Sequence, residues 1–166
     1  APDGGTRMTR LPPPRAIDIE ILAMTLWAEA ADKPVRAIEA LAAMVMNRLK
    51  AGRDPDARHI AAICRAPFLF SCWNRRDPRH AALRAIPPGD AAFAICRRIA
   101  QRAASGLLPD ATGGATLWHD AAHLPAWAVG QASIIEIGGL CFYRAEDITA
   151  PPPRAARPVL VLAEVG

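Results

Sequence analysis

Lysine is almost absent from this chain: of its 20 basic residues only Lys33 and Lys50 are lysines, and the rest are arginines. Aromatic residues are sparse as well, at 5% of 166 positions, so each one present needs a reason. No apolar run approaches the ~20 residues that a spanning helix needs, which excludes a transmembrane span. A dense Lys/Arg run with interleaved aromatics is also missing, which argues against nucleic acid as the partner. The cysteines form no CxxC pair, so a zinc module is excluded. Internal repeats are not visible.

What is present describes one folded domain. Apolar residues make up 52% of a chain long enough to bury a real core. The net charge of +4 suits a polyanionic partner such as an anionic cell-wall polymer. Four cysteines, Cys64, Cys72, Cys96 and Cys141, permit two disulfides, with Cys64–Cys72 or Cys96–Cys141 the expected pairings. Together with the opening APDGG, which lacks an initiator methionine, they point to a periplasmic or secreted protein.

Periodicity divides the chain in two. Residues 1–15 read as a flexible arm, and Asp18 as the cap of a helix with Ile19, Leu22, Leu26 and Ala30 inward. After Pro34 a second helix carries Ile38, Leu41, Val45 and Leu49, and Gly52 stops it. A shorter helix is expected over 55–65, another behind Asp77-Pro78, and a longer one with Phe93, Cys96, Ile99 and Ala103 inward. Beyond Gly106 the pattern turns to β: ATGGATLWHD is a glycine turn and a strand, and SIIEIGGLCFYR a hairpin about Gly138-Gly139. The expected class is α+β, mainly helical with a small antiparallel sheet in the C-terminal half. It occupies residues 16–149, followed by a Pro-rich tail over 150–166.

Glu29 stands out in LWAEAADKP, a carboxylate among Leu26, Trp27, Ala28, Ala30 and Ala31. Helical spacing places it on the flank of the buried stripe, at the C-terminal end, where desolvation and the helix dipole both disfavour its ionised form. A glycosidase builds such surroundings for its general acid. The same spacing also offers a plain ion pair with Lys33 at i,i+4.

AEAADKPVRAIEALAAMVMNRL resembles the opening signature of the SleB-like cell wall hydrolases, the spore cortex-lytic family. That pattern runs A-E-A, a loop ending in Pro, and a helix closing in N-R plus an aliphatic residue. Here these are Ala28-Glu29-Ala30, Pro34 and Asn47-Arg48-Leu49. Phe70-Ser71 resembles the family's Phe-Ser. Asp110 with Thr112-Gly113-Gly114-Ala115 is similar to its D-P-T-G-G-A turn, and Trp118-His119-Asp120 stands in place of its aromatic-rich strand. Ile137-Gly138 with Phe142-Tyr143 resembles its closing hairpin, so the likeness spans about residues 18–144. Asp32-Lys33 stands where the family usually has Gly-Glu.

The resemblance implies a lysozyme-like domain that cleaves peptidoglycan glycan strands with Glu29 as the acid. No second carboxylate is evident near Glu29, so a lytic transglycosylase route is preferred over hydrolysis by water. A glycan-binding or scaffolding module without turnover is the alternative class. Asn47, Phe70, Ser71, Thr112, Gly113, Gly114, Trp118 and Tyr143 are the candidate substrate-binding residues, with Trp127 as a further aromatic. Asn47 is expected either to bind an N-acetyl sugar or to hold a loop, and the aromatics either to stack on sugar rings or to pack in the core. Lys33 is expected to stand apart from Glu29. HDAAH has metal-like i,i+4 spacing but lacks the HExxH glutamate and precedes Pro125, so no metal is assigned. A monomer acting on glycan strands without a cofactor is expected.

Overall fold

The computed structural model describes residues 13–149, so both expected terminal segments fall largely or wholly outside the described residues. The order is α1 (Ala16–Ala30), α2 (Val35–Ala51), α3 (Ile60–Arg65), α4 (Pro78–Leu83), α5 (Ala91–Ala104), β1 (Leu117–Asp120), β2 (Ile135–Ile137) and β3 (Leu140–Tyr143). Helices come first and a small sheet last, the α+β class anticipated above.

Helix α1 lies at the centre, packed against α3, α5 and α2. Leu22 and Leu26 are fully buried and meet Leu41, Met44 and Val45 of α2 in one core. Each such side chain contributes roughly 1.5–3 kcal/mol by leaving water. Helix α2 ends as expected at Gly52, in the left-handed conformation (φ 60°) that an L side chain resists.

The start of α1 differs from expectation. Asp18 is the third residue of the helix, and Arg15 holds the cap position. The Asp18 carboxylate accepts from the Arg15 backbone N–H (3.1 Å) and from its guanidinium (2.9 Å), and also from the Ala61 N–H at the start of α3 (3.0 Å). One buried carboxylate thus closes one helix and ties down another. The bond from Arg15, against burial, lowers its pKa to about 2. Asp77 does cap its helix as expected, accepting from the Arg79 N–H at 2.9 Å.

The sheet has the order β1-β3-β2, antiparallel throughout, with Trp118 opposite Phe142 and Ile137 opposite Leu140. Gly138-Gly139 is the expected two-residue turn, at φ 56° and 87°. A Cβ at Gly138 would lie 2.8 Å from the Ala37 Cβ, so the turn sits hard against α2.

The expected disulfides are absent, which corrects the reading of the cysteines: all four are free thiols. Cys64, Cys72 and Cys96 are fully buried and serve as small apolar side chains in the helical core. Burial pushes the Cys64 thiol up to about 12 and Cys96 to about 11.

Candidate active site

Glu29 is the last residue but one of α1, and its side chain is only 5% exposed. A buried carboxylate needs partners for both oxygens, and the segment after α3 supplies them. Oε1 accepts from the backbone N–H of Cys72 (3.2 Å), in the short 3-10 turn Ser71–Trp73. Oε2 accepts from Arg79 Nη1 at 2.8 Å. Arg79 was not singled out in the sequence, although its place two residues after the cap Asp77 was a usable signal.

Arg79 is itself tethered. Its Nε and Nη2 donate to the two oxygens of Asp77, both at 3.0 Å, and Nη2 also donates to Ser71 Oγ. The bonds from Arg79, against partial burial, hold the Asp77 carboxyl below its ordinary range. The Cys72 thiol is pushed up, first by burial and then by the Glu29 charge. Glu29, Arg79, Asp77 and Ser71 thus form one chain of charge-assisted hydrogen bonds.

Lys33 does not take part. It pairs with Asp120 at the end of β1, 3.0 Å away, so it stands apart from Glu29 as expected. The i,i+4 pair that the spacing permitted does not form.

The turn over 110–115 is organised by Asp110 and Asn47. Asp110 accepts from the Thr112 N–H (2.8 Å) and hydroxyl (2.6 Å) and from the Gly114 N–H (2.8 Å). The Asn47 amide donates to Asp110 (3.0 Å) and to the Ala115 carbonyl (3.0 Å). Partial burial opposes the Asp110 charge, but these bonds outweigh it and lower its pKa. Next to Asn47, Arg48 donates to the Thr116 carbonyl at 2.9 Å. Of the two roles open to Asn47, holding a loop is the one its contacts support. Thr112 is fully buried, while Gly113 and Gly114 are exposed.

The aromatics divide. Phe70 is buried and packs on half-buried Trp118, ring centroids 5.6 Å apart, and Trp118 Nε1 donates to the Leu69 carbonyl at 3.2 Å. Tyr143 is buried, its hydroxyl 2.8 Å from His119 Nε2, with the Trp127 ring edge-on at 5.0 Å. Tyr143 and His119 are therefore buried against each other, and His123 of HDAAH is exposed. Phe68, unnoticed in the sequence, is fully exposed with a left-handed backbone (φ 66°). A groove of about 720 Å³ lined by Glu20, Met24, Leu83, Phe93 and Arg97 lies elsewhere. Glu20 and Glu29 are nine residues apart on one helix, about half a turn out of phase.

A search of curated proteins returned no match. Among solved structures, the catalytic domain of the germination-specific lytic transglycosylase SleB from Bacillus anthracis is similar, with a TM-score of 0.61 at 18% identity. The alignment covers 87% of this chain and 100% of that one. The SleB catalytic domain of Bacillus cereus is similar too, with a TM-score of 0.63 at 20% identity over 85% of this chain and 100% of that one. These likenesses show a common fold. A family model described as Cell Wall Hydrolase matches residues 32–143, a span that begins three residues after Glu29. With most of the chain so matched, this protein belongs to the cell wall hydrolase family, and it is a peptidoglycan-degrading enzyme.

Proposed function

We propose that the protein cuts the glycan strand between N-acetylmuramic acid and N-acetylglucosamine as a lytic transglycosylase, with Glu29 as general acid and then base. The observation that carries this reading is the Glu29 carboxylate, 5% exposed at the end of α1 and bonded through both oxygens. In the first step its proton passes to the glycosidic oxygen as the C1–O bond breaks, leaving an oxocarbenium-like centre. In the second the muramyl 6-hydroxyl oxygen bonds to C1 and returns its proton to Glu29. The products are a 1,6-anhydromuramyl end and a free 4-hydroxyl on the glucosamine.

The engagement of Asp77, Asp120 and Asp110 favours this route over attack by water. Asp77 is held by Arg79, Asp120 by Lys33, and Asp110 by its own turn. Asp32 is exposed on the turn after α1. The exposed amides of Gly113 and Gly114, with Ser71, Phe70 and Trp118, are the substrate-binding candidates that remain at the surface or next to it. The wall lies outside the cytoplasm, so we place the protein in the periplasm or outside the cell, acting as a monomer on glycan strands.

Digestion of purified peptidoglycan, followed by mass analysis, tests the reading. We expect 1,6-anhydro ends, and products with reducing ends alone overturn the transglycosylase route. Glu29→Gln is expected to lose at least a factor of about 100 in rate while keeping wall binding and fold. Full activity in that variant overturns the role of Glu29.

A further inference from the structure

Peptidoglycan cleavage by an acid–base pair asks two opposite things of one carboxylate. It must carry a proton before the first step and hold a charge before the second. Resting on the reading of Glu29 given above, we infer that Arg79 is the positioning residue that aims the Glu29 Oε2 and steadies the charge left on it after proton transfer.

The contacts are specific. Arg79 Nη1 meets Oε2 at 2.8 Å, while the same guanidinium is fixed from behind by both oxygens of Asp77 and by Ser71 Oγ. A fork held by three hydrogen bonds through Nε and Nη2 loses little freedom on making its fourth contact through Nη1. Other groups facing Glu29 are few. From the 3-10 turn come the Cys72 N–H and its thiol, and from α4 Arg79, with Asp77 beyond it at the cap. Lys33, on the turn after α1, is committed to Asp120. Arg79 is thus the cation in contact with the Glu29 carboxylate. Its side chain is 40% exposed, and that of Glu29 is 5% exposed.

The consequence is directional. A cation in contact with a carboxylate favours the charged form. Arg79 therefore stabilises the carboxylate that proton transfer leaves behind. Removing it takes away both that charge and the aim of Oε2.

The experiment is a pH profile of kcat/KM on peptidoglycan for the parent, Arg79→Met and Arg79→Lys. Arg79→Met is expected to move the basic limb up by about one pH unit, the lower end for a lost adjacent charge, and to lower the maximal rate. Arg79→Lys is expected to bring the limb back towards the parent. A limb at the parent's pH in Arg79→Met, with lower rates throughout, overturns the inference, since a purely structural role has that signature. Arg79→Gln, which removes the charge and keeps a polar side chain beside Asp77 and Ser71, decides the matter if Arg79→Met does not fold. There an upward limb supports the inference and an unmoved one overturns it. Titration of the 13C-labelled Glu29 carboxyl in the same variants reads its protonation without turnover. Should Glu29→Gln stay active, the catalytic reading fails, and this titration still tests what Arg79 does to Glu29.

Discussion

Lys33 and Asp120 join the turn after α1 to the end of β1, Nζ to Oδ2 at 3.0 Å, and their pairing turns Lys33 away from Glu29. Both side chains are about a quarter exposed (21% and 27%), so the pair is partly screened. The Asp120 carboxyl is lowered first by the Ala122 N–H and then, against burial, by Lys33. Lys33→Ala is expected to cost about 1 kcal/mol in urea denaturation and to leave the basic limb of the activity profile in place. A shifted limb shows that Lys33, rather than Arg79, acts on Glu29.

Asn47 joins α2 to the turn over 110–115 through Asp110 and the Ala115 carbonyl. Its loss leaves Asp110, Thr112 Oγ1 and the Ala115 carbonyl each short of a donor, so Asn47→Ala is expected to destabilise the domain by about 1–3 kcal/mol. Asn47→Asp sets a second carboxylate against Asp110 and is expected to be worse. Thermal melts of the two variants check both the cost and the order.

The helical half of the fold was legible because its signals are local. Ile38, Leu41 and Val45 recur on one face, Gly52 punctuates, and Asp77-Pro78 marks a helix start without reference to anything distant. The site was legible in part. Glu29 drew notice as a charge among apolar neighbours, but its partners are 43 and 50 residues away in Cys72 and Arg79. Tertiary packing alone creates such a pair, and local spacing pointed to Lys33 instead. For Tyr143 the sequence leaves a sugar platform and core packing both open, and the hydroxyl that finds His119 lets it lie buried. The cysteines were read by their even number, whereas small apolar volume explains their burial.

Acid should expose the tie between Arg15, Asp18 and Ala61. The Asp18 carboxyl falls from its ordinary 3.8 to about 2 in the folded chain. A lowered folded value gives stability that is present above pH 3.8 and is lost as pH falls towards 2. The contribution is about 2 kcal/mol. Denaturation curves of the parent are expected to weaken across that window, and those of Asp18→Asn to lose this part of the pH dependence.

Free thiols give a further check. Cys141 is half-buried on β3, and the other three are fully buried in the core. Under native conditions a thiol reagent is expected to modify Cys141 first, and Cys64, Cys72 and Cys96 only on unfolding. The melting temperature is expected to be the same with and without reductant. A drop on reduction shows that a disulfide forms after all.

The placement of Glu29 one residue from the end of α1 also bears on how the enzyme fails when heated. That end is closed by the Ala31 N–H on the Trp27 carbonyl (3.3 Å) and the Lys33 N–H on the Ala30 carbonyl (3.0 Å). Fraying of this one turn would carry the carboxylate off Cys72 and Arg79 while the core stays folded. Heat inactivation then begins below the temperature at which the domain melts. Amide exchange at Ala31 and Lys33 becomes the gauge of how many molecules are competent at any instant.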